Sequence, residues 1–119
     1  MKKAFLICPV RNATDKQVED IKQYKEEMKL SGIELYYPAD DNPLEHTDTI
    51  GYDICRTNAE KIRDADEVHL FWDSTSAGTL FDLGVAFALG KPLHVVNIED
   101  VEHTPQKSFS NMILHWSRQ

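Results

Sequence analysis

Short apolar runs alternate along this chain with longer stretches of mixed polarity, a pattern that predicts strands alternating with helices. Ala4–Val10 is almost wholly apolar, as suits a central parallel strand, and leaves Arg11 and Asn12 at its carboxyl tip. Thr14 or Asp15 can cap a helix reaching about Ser31, with Val18, Ile21, Tyr24, Met28 and Leu30 as its apolar stripe and Gly32 as its stop. Ile33–Tyr37 reads as a short strand closed by Pro38, and Ala39–Asp48 as a polar, mobile loop. A helix is predicted over Thr49–Arg63, a strand over Glu67–Trp72 and a helix over Leu80–Leu89, stopped by Gly90. Pro92–Asn97 gives a fourth strand, Ile98–Gln106 a polar loop and Lys107–Trp116 a last helix.

Strands alternating with helices imply right-handed βαβ units, so the predicted fold is a flavodoxin-like or Rossmann-like three-layer α/β sandwich on a parallel sheet of four or five strands. With the first strand central, the order becomes 2-1-3-4. The chain then reverses direction between the first and third strands, and ligands of such sheets sit outside the carboxyl ends at that switch point. Pro9–Asn12 and Asp73–Gly78 become opposite lips of one crevice.

The run Glu67–Pro92 carries the chemistry. Ser74–Gly78 is a loop of small residues that permits close backbone approach to a ligand, and the helix behind it is apolar on nearly every face and is expected to be packed inside. Asp82 is the one acid within that helix. Placed in the first turn, it faces a bound sugar or phosphate at the positive end of the helix dipole. Thr79-x-x-Asp82 also fits a capping box, in which the carboxylate only closes the helix start, and the loop also reads as a simple connection. On the segment alone the cap is preferred; the convergence of the two loops on one crevice favours the functional reading.

Composition narrows the partners. The 119 residues suit a single domain, residues 1–119, able to bury a core without disulfide or metal staples. Twenty acids against thirteen bases give a formal charge of −7, and no Lys/Arg block is dense enough to track a nucleic-acid backbone, which excludes polymeric nucleic acid. Cys8 and Cys55 form no CxxC pair and read as reduced, buried thiols, while His46, His69, His103 and His115 share no ligand spacing. No metal is assigned. The first loop lacks the Ser/Thr donors expected around a flavin phosphate, so no cofactor is assigned either. MKKAFLICPVRN has too short an apolar stretch for a signal h-region or a membrane span, giving the expectation of a soluble cytoplasmic protein with no membrane partner.

The motifs Cys8-Pro9-Val10-Arg11, Ala65-Asp66, Ser76-x-Gly78-Thr79-x-x-Asp82-Leu83-Gly84-x-Ala86 and Gly90-Lys91-Pro92 together resemble the nucleoside 2-deoxyribosyltransferase superfamily, which includes 2'-deoxynucleoside 5'-monophosphate N-glycosidases. The resemblance spans most of the chain. It implies cleavage or transfer of the N-glycosidic bond of a small-molecule nucleoside or nucleotide. Asp82 stands where that family has a nucleophilic glutamate, and Ser76 and Gly78 match its contacts to the 5' side of the sugar. Asn58, eight residues before Asp66, stands where relatives often carry an aspartate near the base; an amide hydrogen-bonds a base but cannot act as a general acid. Pro9, Arg11, Asp73, Ser76, Gly78, Thr79 and Asn111 are the candidate substrate contacts, with Asp82 and Asn58 at the reacting centre. Arg11 can pair with a 5'-phosphate, or bridge to a loop acid. Asp73 or Asp53 can reach the crevice to protonate a leaving group, though both suit solvated or capping roles. Asn111-Met112 resembles a segment that reaches a neighbouring subunit's site, which implies a homo-oligomer such as a dimer. The alternative is a non-catalytic nucleotide-binding or sensing module with a degenerate site, which accounts for Asp82 and Asn58 together.

Overall fold

A computed structural model describes residues 1–119. The elements run β1 (Lys2–Ile7), α1 (Asp15–Leu30), β2 (Ile33–Tyr36), α2 (Pro38–Asp41), a 3-10 turn (Pro43–His46), α3 (Tyr52–Asp64), β3 (Glu67–Leu70), α4 (Ala77–Ala88), β4 (Leu93–Val95), a second 3-10 turn (Ile98–Asp100) and α5 (Phe109–Ser117). The four strands are parallel in the order β2-β1-β3-β4, so the chain reverses between β1 and β3 as the pattern requires. The fold is the expected Rossmann-like α/β sandwich. No helix is long and apolar enough to cross a membrane.

Alternation along the strands divides the core in two. Phe5, Ile7, Val68, Leu70, Leu93 and Val95 face α3, α4 and α5, where Ile62, Leu83, Ala86 and Ile113 meet them. Ala4 and Leu6 face the other way, against Ile21 and Tyr24 of α1. On that second face His69 is buried and bonded at both ring nitrogens. Tyr24 Oη lies 2.5 Å from Nδ1 and Glu67 Oε2 lies 2.5 Å from Nε2. Burial works against the Glu67 charge, yet Lys2 and His69 hold its carboxyl below the ordinary range, so Glu67 accepts from Nε2–H and Nδ1 accepts from the tyrosine. His69 is a satisfied structural residue.

The structure moves several expected boundaries. β3 stops at Leu70 because Trp72 leaves the ladder and is clamped by a side chain, its N–H donating to Asn97 Oδ1 at 2.7 Å while Asn97 Nδ2 donates back to Trp72 O at 3.0 Å. α3 starts at Tyr52 rather than Thr49, since Gly51 adopts a left-handed φ of 93° and Asp48 takes the N–H groups of Ile50 and Ile54. The segment expected to be a mobile loop, Ala39–Asp48, is instead ordered by α2 and the 3-10 turn. Its anchor is Asn42, 1% exposed, whose Nδ2 donates to Asn58 Oδ1 at 3.1 Å and whose Oδ1 accepts from Leu44 N at 3.0 Å.

Helix α4 departs furthest. Ser76, not Thr79, is its N-cap, with Ser76 Oγ accepting from Thr79 N at 3.2 Å, so the Thr79–Asp82 capping box does not form. Nor is the helix wholly enclosed. Leu83 and Ala86 enter the core, while Phe81 and Phe87 remain 49% and 58% exposed because no layer covers the outer side of α4.

Candidate functional site

At the carboxyl ends of β1, β2 and β3 lies a cleft of about 530 Å³. Its first lip is the β1 tip. Pro9 removes a backbone donor just after the strand and the chain turns outward, carrying Val10, Arg11 and Asn12 along the rim. The second lip follows β3. Asp73 folds it back on itself by accepting from Thr75 N at 2.9 Å and Thr75 Oγ1 at 2.6 Å, and Gln17 of α1 holds its other oxygen at 3.0 Å. Those hydrogen bonds, Thr75 foremost, keep the Asp73 carboxyl below its usual range, so Asp73 is an ionised loop pin. Ser76, Ala77 and Gly78 then present the amino end of α4 to the cleft. A Cβ added at Gly78 would meet nothing within 4 Å, so the wall is open there.

Asp82 lines the same cleft, but as the sixth residue of α4 rather than in its first turn. The early cap at Ser76 causes this shift. Burial raises its carboxyl to about 7, the Glu45 charge adds to the push, and nothing offsets either. An acid placed without a compensating donor has a proton affinity tuned to neutral pH, a property concentrated at reacting sites.

Asn58 reaches the cleft from α3, buried and fixed by Asn42. With its oxygen engaged, its NH₂ is turned toward Glu45, close enough to favour that carboxylate's charged form. Pro9, Arg11, Asn58, Asp73, Ser76, Gly78 and Asp82 therefore share one cavity. Three candidates lie outside it. Thr79 is completely buried behind the lip, its hydroxyl without a partner, because the helix start places it at N3 facing the core. Asn111 is occupied within its own segment, accepting from Thr104 N at 2.8 Å and donating to Thr104 O and Gln106 O, where it closes the turn into α5. Asp53 is paired with Arg56 at 3.3 Å and does not line the cleft.

Residues not singled out from the pattern also line the cavity: Pro38, Glu45, Cys55 and Phe81. Glu45 arrives on the 3-10 turn that Asn42 anchors, and only that long-range amide pair could have announced it. Cys8 and Cys55 are both free thiols, Cys8 buried and Cys55 partly exposed. Burial and then the charges of Asp82 and Glu45 push both thiols up, so neither is a ready nucleophile. A second hollow of about 390 Å³ lies against the amino-terminal half of β1 and β2, between Lys3, Glu34, Lys61 and Asp64, and holds no comparable buried acid.

A family model described as nucleoside 2-deoxyribosyltransferase matches residues 5–113. No curated protein matches the chain at a significant level. Among solved structures, the 2-deoxyribosyltransferase of the psychrotolerant bacterium Bacillus psychrosaccharolyticus is similar with a TM-score of 0.66 at 17% identity, over 93% of this chain and 90% of that one. The CMP N-glycosidase BcmB of Clostridium botulinum gives 0.54 at 21% identity, over 79% of this chain and 67% of that one. A 2-desoxiribosyltransferase from Leishmania mexicana gives 0.60 at 26% identity, over 80% of this chain and 63% of that one.

Proposed function

Because the chain belongs to the nucleoside 2-deoxyribosyltransferase family, we propose that it cleaves or transfers the N-glycosidic bond of a (deoxy)nucleoside or nucleoside 5'-monophosphate, with Asp82 as the nucleophile. The observation that carries this reading is Asp82 itself, an acid without a compensating partner in the cleft at the switch point. Breaking an N-glycosidic bond builds positive charge on the sugar. A carboxylate beside C1' stabilises that charge or closes on it as a glycosyl ester, which water or a second base then opens. On this reading Arg11, at the rim of the cleft, receives the 5' end. The ion pairs of the chain use Lys2, Lys16, Lys25, Arg56 and His69, leaving the exposed Arg11 guanidinium free for a phosphate. The backbone N–H groups at Ala77 and Gly78 add donors at the positive end of α4.

The test is incubation of the pure protein with a panel of nucleosides and 5'-monophosphates, with and without a second free base. Hydrolysis or exchange is expected, and Asp82→Asn is expected to abolish it by several orders of magnitude while nucleotide binding persists. Asp82→Glu restores the side-chain length of the family's glutamate and is expected to raise the rate if reach limits this site. Cleavage by Asp82→Asn at the wild-type rate would remove Asp82 from the chemistry. Asn58 in place of an acid favours a second reading, a nucleotide-binding module. That reading prevails if the wild-type protein binds nucleotides and cleaves none.

A further inference from the structure

The family-like position for an acid beside the base is occupied here by Asn58, and the cleft contains another acid that its motifs do not assign. Glu45 enters from the segment after β2, Asp82 from the helix after β3, and the β1 tip with Cys8 lies between them. Both carboxylates line one cavity together with the thiols Cys8 and Cys55. Glu45 is held there by construction. Asn42, fully enclosed, ties the 3-10 turn to α3 through Asn58 and through Leu44 N, so the side chain is presented to the cleft by a rigid element. Asp73, the other acid of the cavity, is committed to Thr75 and Gln17, and Asp53 stands outside it.

We propose that Glu45 is the acid/base partner of Asp82, donating a proton to the departing nucleobase and then taking one from the incoming water. This rests on the reading given under Proposed function. In the first step an Asp82 oxygen bonds to C1', the C1'–N bond breaks, and its electron pair leaves on the base nitrogen, which receives the Glu45 proton. In the second, water attacks C1', its proton passes to Glu45, and the C1'–O bond to Asp82 breaks to restore the carboxylate. The sum is nucleotide plus water giving base plus sugar phosphate. Burial raises the Glu45 carboxyl above its ordinary range, against the pull of His46, Asn58 and Arg11, and the Glu45 charge in turn raises Asp82, so the two carboxyls titrate as coupled neighbours. Asp82 keeps a proton up to about 7, and its attack on C1' requires the pair's proton to sit on Glu45.

Glu45→Gln tests the assignment with two leaving groups: the best-cleaved natural nucleotide of the panel, and 2-deoxyribose 5-phosphate bearing 4-nitrophenolate at C1', which departs without a proton. Read in kcat/KM, which reports the first step alone, the expected result is a loss of ~10²-fold or more on the nucleotide and under ~10-fold on the nitrophenyl substrate, with unchanged nucleotide binding. Glu45→Asp, which keeps a proton to donate, is expected to recover part of the loss. Glu45→Gln within about threefold of wild type on the nucleotide would overturn the proposal. An equal loss of kcat/KM on both substrates without recovery in Glu45→Asp would overturn it too, as a merely structural role. A wild-type protein that cleaves neither substrate would instead overturn the reading on which it rests.

Discussion

A single carboxyl group, that of Asp82, makes the stability of this fold depend on pH. Asp82 holds its proton more tightly in the fold, up to about 7, than the 3.8 of a free aspartate. The folded state therefore binds more protons between those values, and stability falls as pH rises through that window; below it nothing is lost, above it the full cost of the buried charge is present. Asp82→Asn removes that cost. It is expected to raise the melting temperature at pH 8 by roughly 4–8 °C, corresponding to ~1–2 kcal/mol after allowance for solvent reaching the carboxylate through the cleft. Near pH 4 the gain should vanish. Equal melting temperatures at both pH values would mean that Asp82 is solvated or already paired.

At the scale of the element, the start of α4 decides which groups face the cleft. The Ser76 cap makes Gly78 the second helical residue, with open space where its side chain would be. Gly78→Ala is expected to leave the fold as stable or to gain about 0.5 kcal/mol from helix propensity. If the α4 amino end receives the 5' group as proposed, the added methyl should nevertheless weaken nucleotide binding by ~10-fold, equivalent to ~1.4 kcal/mol. Titration calorimetry beside thermal melts separates the two effects. This boundary also marks where the chain could be read and where it could not. Short apolar runs such as Ala4–Val10 announced the strands, and Val18, Ile21 and Tyr24 announced α1, because each records burial locally. The cap was expected at Thr79, but Ser76, three residues earlier, takes the role where Asp73 closes the preceding turn. Glu45 was illegible for a related reason. Its segment looks like polar loop until the amide pair Asn42–Asn58, sixteen positions apart, pins it down.

Across the whole molecule, strand order β2-β1-β3-β4 is what turns separate loops into one cleft, and it was legible from the alternation of elements once the apolar first strand was taken as central. The walls of that cleft are drawn from residues spread between Cys8 and Asp82, contributed by the connections after three different strands. No contiguous piece of chain contains the cavity, so its occupant binds only when the β1–β3 crossover and the α3 clamp are both formed. Occupancy is thereby coupled to the global unfolding equilibrium, and affinity can be read as heat resistance. A ligand at a hundred times its dissociation constant adds about 2.7 kcal/mol, a rise of roughly 10 °C for a protein of this size. A melting screen across nucleosides, 5'-monophosphates and sugar phosphates should therefore rank ligands before any turnover is detected. The rise should shrink for monophosphates in Arg11→Ala while nucleosides keep theirs, and equal loss for both would assign Arg11 to the scaffold.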